Sequence, residues 1–169
     1  MGADRMMSKS PDQAVSDPNE TVLNILEKGG DLSVTCRQVI ERYMTTWSCD
    51  ALRALTETHI LTEGALAERL AEAFQLPLIR GVSRLSIILE SIQILPFQRA
   101  RDWEMIMVRD EGQTRRLVVS SPAYLDRIET VRESLPFGIT LSVGERSDIV
   151  RAIDELYPLA AQLPSLHGE

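Results

Sequence analysis

The sequence predicts an α+β protein: a helical subdomain of about four helices, then a small α/β sandwich with a three-stranded sheet. Three observations carry this. Between residues 21 and 75 apolar residues recur every three or four positions, the spacing of one helix face. The spacing breaks at "LPLI" (76–79), where Pro77 pushes Leu76 out of the α region. Beyond it, the β-rich runs "WEMIMVRD" and "RRLVVSS" are followed by helical stretches.

The elements follow in order. Residues 1–20 are polar, carry Pro11 and Pro18 and show no period, so a flexible tail is expected. "TVLNILEK" reads as a first helix stopped by Gly29-Gly30. Ser33 is placed to cap a second helix, whose inner face is Cys36, Ile40, Tyr43 and Met44. Asp50 to Glu57 makes a short third helix with Ala51, Leu52 and Leu55 inward. Thr62 caps a fourth, lined by Leu66, Leu70 and Phe74. The two helix pairs look related. "EKGGDLSVTCRQVI" and "ETHILTEGALAERL" each read as a helix end, a Leu, a Ser or Thr cap and a new helix.

After Pro77 the chain is expected to run through a hinge at 76–84 into an α/β subdomain at 85–158. "SRLSIILESI" reads as a short helix or an apolar crossover, and "EGQT" joins two strands as a hairpin. Ser121-Pro122 reads as a helix start, with Ser as N-cap and Pro at the first helical position. Tyr124, Ile128, Val131 and Leu135 would be its buried face. "GITLSV" is a third strand. The last helix buries Ile149, Ile153, Leu156 and Tyr157 and is expected to end at Pro158, leaving 159–169 as a tail.

Composition narrows the function classes. The 169 residues carry a net charge of −7, with a pI of about 4.9. That argues against nucleic acid or an anionic membrane surface as a general partner, since both call for a basic face. Cys36 and Cys49 are too few for a disulfide framework and form no CxxC, which suits a reducing cytoplasm. No signal peptide is visible, and no run reaches the ~18 apolar residues that span a bilayer, so membrane association is expected only through a partner.

The residues of chemistry are sparse. His59 and His167 are the only histidines, and no HExxH or cysteine–histidine cluster exists to hold zinc. There is no G-x-x-x-x-G-K-[ST] loop, no GxGxxG after a strand and no GxSxG elbow. No enzyme activity and no cofactor are expected. Glu145, Asp148, Asp154 and Glu155 read as the solvated face of the last helix. Arg99, Arg101, Arg109, Arg115 and Arg116 gather around the hairpin, where they would either hold an anion or guard an edge strand.

The order of these pieces resembles a known family. "ILTEGALAERLAEAFQLPLI" is similar to the second helix pair in the N-terminal domain of type II secretion and type IV pilus assembly ATPases, the MshE-type N-terminal domain. There a "GLLT" or "GLVS" turn precedes a helix ending in "LGLPLV". The stretch from "ILPFQRARDW" to "SDIVRAIDELYP" resembles the second half of that module: a proline-containing strand, a hairpin, an "ADP" helix start and a closing helix. Here Ser120-Ser121-Pro122 stands for "ADP". The resemblance covers about residues 21–158, and no ATPase motor follows in the eleven residues after Pro158.

The resemblance implies a non-enzymatic docking or regulatory module in the cytoplasm, peripheral to the inner membrane through its partner. That partner would be the cytoplasmic part of an inner-membrane platform protein or a membrane glycosyltransferase, and the machine a secretion, pilus or exopolysaccharide-export system. Arg53, Glu57 and His59 of the helical subdomain are the expected partner-binding residues. The alternative it implies is a cyclic di-GMP sensor, since one branch of the family binds that dinucleotide. Relatives of that branch resemble R-L-G-x-x-L-V-x-x-G-L-L-T-x-x-Q-L, with a further Gln two turns on. Aligned on Leu61-Thr62, the arginine falls on Asp50, the glycines on Leu52 and His59, and the glutamines on Ala65 and Ala73. An acid would repel phosphate, and side chains would fill the space of the glycines. Cyclic di-GMP is therefore not the expected ligand.

Overall fold

The computed structural model describes residues 16–162. The expected tail ends at 1–15 and 163–169, and with them His167, lie outside the described residues. Helix α1 (Pro18–Lys28) begins three residues before Thr21. The Asp17 side chain accepts from the Asn19 amide, and Pro18 occupies the first turn, where its missing N–H costs nothing. Helices α2 (Val34–Trp47), α3 (Ala51–Glu57) and α4 (Glu63–Ala73) follow. Their caps are Ser33, Asp50 and Thr62, each accepting from the amide three residues on. All four expected helices are present. Val22, Leu23, Leu26, Ile40, Leu55 and Leu70 meet in their shared core. Cys36 and Cys49 are half-buried free thiols, Cys36 in the first turn of α2 and Cys49 just past its end.

The sheet has five strands, not three. Strands β3 (Met105–Arg109), β4 (Arg115–Val119) and β5 (Thr140–Gly144) are the expected three. Strands β1 (Leu78–Ile79) and β2 (Ser86–Ile87) extend the two edges, giving the order β1-β5-β4-β3-β2. β1 runs parallel to β5, β5 parallel to β4, and β2 and β4 antiparallel to β3. A two-residue strand has no alternation to read, so sequence period could not reveal either edge. Thus the segment expected as a hinge contributes β1 to the sheet, and the Pro77 carbonyl accepts from the Val143 amide at 2.9 Å.

Three further corrections concern helices; the described residues hold seven α-helices in all. Helix α5 (Phe97–Trp103) occupies ground where the resemblance implied a proline-containing strand; Pro96 stands at its N-cap. Helix α6 (Leu125–Glu133) starts four residues after Ser121, with Tyr124 at the cap position and no side-chain cap. Ala123 is drawn into the helical core, so the chain turns once more before α6 can begin. The Ser121 hydroxyl is left buried without a partner. Helix α7 (Arg146–Gln162) runs through Pro158 instead of ending there. Tyr157, beside that proline, is anchored by its hydroxyl donating to the Leu95 carbonyl at 2.5 Å, and Ala160 is buried beyond it.

The sheet core gathers Ile106, Val108, Val118, Ile128, Ile149 and Ile153 from the strands, α6 and α7. Gly144 permits the approach of α7: a Cβ there would meet Val118 Cγ1 at 2.8 Å and Ile149 Cγ1 at 3.2 Å. The helical and sheet regions are joined by polar ties. Glu63 of α4 accepts from the Ser147 hydroxyl, and Glu68 of α4 pairs with Arg80 at 2.6 Å; within the sheet region Glu104 accepts from Arg146 and, at 2.7 Å, from Ser120.

Candidate functional site

The helical region contains two turns built alike. In the first, the Leu26 carbonyl accepts from the amides of Asp31 and Leu32, and Gly30 sits at φ 79° before the Ser33 cap. In the second, the Leu55 carbonyl accepts from Ile60 and Leu61, and His59 sits at φ 57° before the Thr62 cap. The repeat read in the sequence is therefore a repeat of hydrogen bonds. The left-handed residue is glycine in one copy and histidine in the other, and histidine tolerates that region better than most side chains.

His59 and Glu57 line one side of a shallow depression of about 410 Å3, with Thr56, Leu61, Thr62 and Glu63 around it. Arg53 stands one turn before Glu57 on α3 and donates through Nε to its carboxylate at 2.6 Å. The Tyr43 hydroxyl of α2 donates to the other oxygen of Glu57 at 2.8 Å. Arg53 first, and Tyr43 second, hold the Glu57 carboxyl below its ordinary range, while the shared proton pushes the Tyr43 hydroxyl up. Tyr43 in turn lies 6.1 Å from the Trp47 ring, which is 67 % exposed. The three expected partner-binding residues thus sit on one continuous surface, and Tyr43 and Trp47 extend it. The sequence placed Tyr43 in the core. It is half-buried, its ring packed on the bundle and its polar end turned to Glu57.

The five hairpin arginines are not brought to one place. Arg101 pairs with Asp154 of α7 at 2.7 Å. Arg116 pairs with Asp110 at 2.7 Å and reaches the Ser142 hydroxyl at 3.1 Å. That pairing, followed by the Thr114 amide, holds the Asp110 carboxyl low. Arg109 and Arg115 stand opposite each other across β3 and β4, on the other face from Arg116, with Arg115 stacked 4.1 Å from the Phe137 centroid. Arg99 stacks on Trp103 at 5.2 Å. Glu155 lies 3.8 Å from Arg151 and Asp148 accepts from the Val82 amide, so Asp148 and Asp154 tie α7 to other elements while Glu155 stays within the helix. A larger open groove of about 750 Å3 beside the start of α7 is lined by Arg80, Arg84 and Arg151 and by Glu111, Glu145 and Asp148, whose charges offset. Among the described residues no group of His, Cys, Asp or Glu is arranged to hold a metal, and no helix is long and apolar enough to cross a membrane.

Residues 74–163 match the MshEN domain. The chain belongs to the MshEN domain family. The MshEN match begins at the end of α4, so it spans the sheet region and leaves the α2–α3 surface outside it. Solved structures extend the likeness of fold over the helices. A structure of MshE with cdg has a TM-score of 0.61 and 23% identity, covering 80% of this chain and 98% of that one. The N-terminal domain of XpsE, in one crystal form, has a TM-score of 0.54 and 22% identity, covering 81% of this chain and 95% of that one. A second form gives 0.58 and 20%, covering 83% and 96%. No curated protein matches the chain significantly. As an MshEN-type domain, this chain is like the N-terminal domains of secretion ATPases and not like their motor.

Proposed function

We propose that this chain is a non-enzymatic docking and regulatory module, recruiting or controlling a secretion, pilus or exopolysaccharide-export machine at the inner-membrane face. Its partner is the cytoplasmic part of a platform protein or a membrane glycosyltransferase. The observation that carries the reading is α2: Ile40 is its single fully buried residue, while Val39 is 53 % exposed and Trp47 more so. An aromatic residue left open beside an ordered Arg53–Glu57–Tyr43 network has the composition of an interface anchor within a polar rim.

The test is capture from a bacterial membrane extract, read by mass spectrometry, with the unaltered chain and with Trp47→Ala and Arg53→Glu variants. One membrane-associated protein should be retained by the unaltered chain and lost from both variants. Equal retention by all three would remove the α2–α3 surface from the interface. The chain should also release no phosphate from ATP or GTP, since it has no phosphate loop.

The second reading is a cyclic di-GMP sensor, favoured by the MshE structure with cdg. Against it stand the residues at the expected contact positions. Asp50 is committed to capping α3, and Leu52 is buried in the helical core. His59 keeps the backbone of a glycine but not its open space. Titration calorimetry separates the readings: a micromolar or tighter dissociation constant at physiological salt would replace docking by sensing.

A further inference from the structure

Trp103, the last residue of α5, is flanked by two arginines from different helices. The Arg99 guanidinium carbon lies 5.2 Å from an indole ring centroid and that of Arg127, on α6, 5.8 Å. Arg127 also stacks on Tyr124 at 4.1 Å. A guanidinium held over a ring makes that contact without using its N–H donors, which stay free for a second partner. Among the described residues neither arginine forms an ion pair, whereas Arg101 on the same helix is taken by Asp154.

The carboxylates in the neighbourhood are engaged elsewhere. Glu104 accepts from Arg146 and Ser120. Asp17 and Asp50 cap α1 and α3, and Asp102 accepts from Gln98. Asp126, next to Arg127 in sequence, projects from a different side of α6. Leu125, 60 % exposed, adds an apolar edge at the start of that helix.

We propose that this α5–α6 edge docks an acidic segment of a protein partner, with one carboxylate on each guanidinium. Charge selects the occupant. A chain of net charge −7 repels an acidic segment at long range, so such a segment can seat only where cations stand without carboxylate partners. Spacing agrees. Both guanidiniums lie within 6 Å of one ring, and carboxylates two residues apart on an extended strand, about 7 Å, can each meet one. Planar arginine forks then bind them bidentately. This surface shares no residue with the α2–α3 surface and stands or falls separately from it.

The probe is a capped hexaglutamate peptide added to the full chain at fixed ionic strength, read by the Trp103 indole N–H resonance, assigned with Trp47→Phe. The peptide should shift that resonance saturably. Arg99→Gln with Arg127→Gln should weaken binding at least about tenfold, because both charge-assisted contacts go. Arg42→Gln, an exposed arginine outside the stack, should change nothing, and inorganic phosphate should give no saturable shift. Should the double variant lose its folded spectrum, the exposed Arg99→Gln alone must still weaken the peptide. The proposal is overturned by a Trp103 resonance that the peptide leaves in place, or by undiminished binding in the arginine variants. A saturable shift with phosphate also overturns it, making the stack a simple anion site.

Discussion

Strand β3 and helix α2 stand at opposite ends of the burial range. Met105, Ile106, Met107 and Val108 of β3 are all buried: α5 and α7 lie against the strand, and Ile128 and Val131 of α6 join the same core. In the fourteen residues of α2 only Ile40 is fully buried, and Arg37 spans outward to Glu20, Glu27 and Glu41. Apart from the Arg99–Trp103–Arg127 edge, the sheet region is a closed body whose surface charges largely serve one another. The helical region is closed by α1, α3 and α4 but carries one helix that its own chain covers only in part. Stability is therefore expected to reside mainly in the first, and the widest uncovered helix face lies in the second.

The largest effect that tests this contrast is Ile153→Ala. Ile153 is fully buried on the inner face of α7, so its truncation should cost about 2–5 kcal/mol. Trp47→Ala, at the open end of α2, should cost less than about 1 kcal/mol, the range of exposed substitutions. Thermal melting of both variants reads the difference. An unchanged melting point for Ile153→Ala would mean that α7 does not hold the sheet.

Gly144→Ala probes the same seam by addition. The new methyl would lie 2.8 Å from Val118 Cγ1, inside contact distance, and overpacking of a closed core costs about 1–3 kcal/mol. A neutral outcome in denaturant titration would show that the sheet core can yield there, and that the contrast with the helical region is one of shape, not of tightness.

How far the sequence carried this division depends on length of element. Helices α1 to α4 and strands β3 to β5 are long enough for period and caps to identify them; Ser33 and Thr62 cap where the sequence put them, and Asp50, read as the first residue of α3, is its cap. β1 and β2 are too short to carry a period, and α5 hides behind Pro96, which resembled a strand's proline. Ser121-Pro122 has the composition of a helix start, but the tertiary pull on Ala123 moved that start to Leu125. Pro158 reads as a stop, yet a helix already packed through Tyr157 and Ala160 tolerates it. At the candidate site, the sequence could name Arg53, Glu57 and His59 together because they lie on and just after one short helix, and the structure places them side by side. Trp47 was not, since a helical stripe alone does not say which of its residues find a partner to pack on.

The boundary between the regions sharpens the comparison in time as well as space. Their cores form two separate clusters, bridged by β1, Val143 and a few polar ties. We therefore expect the helical region to open more readily than the sheet, with residues 76–84 as the joint. Amides of α2 should exchange at least about tenfold faster than those of β3 and β4, a difference near 1.4 kcal/mol in opening free energy. Equal protection across 21–75 and 85–158 would make the molecule one cooperative unit.

The smallest effect sits inside the helical region, between its two matching turns. Gly30 and His59 both adopt left-handed backbone, at φ 79° and 57°. A Cβ on Gly30 would meet nothing within 4 Å, so Gly30→Ala should cost about 1 kcal/mol from backbone strain alone. His59 already bears that strain. His59→Gly should remove it, at the expense of the larger entropy glycine loses on folding, and leave a net gain of roughly 0.5 kcal/mol. A pair of opposite sign would mean that the two turns are one backbone device, paid for differently in each copy. If His59→Gly instead destabilised the chain, the imidazole would have to be making a contact worth more than the strain. The depression it shares with Glu57 would then be partly held in shape by His59, and partner capture would have to be read against that loss.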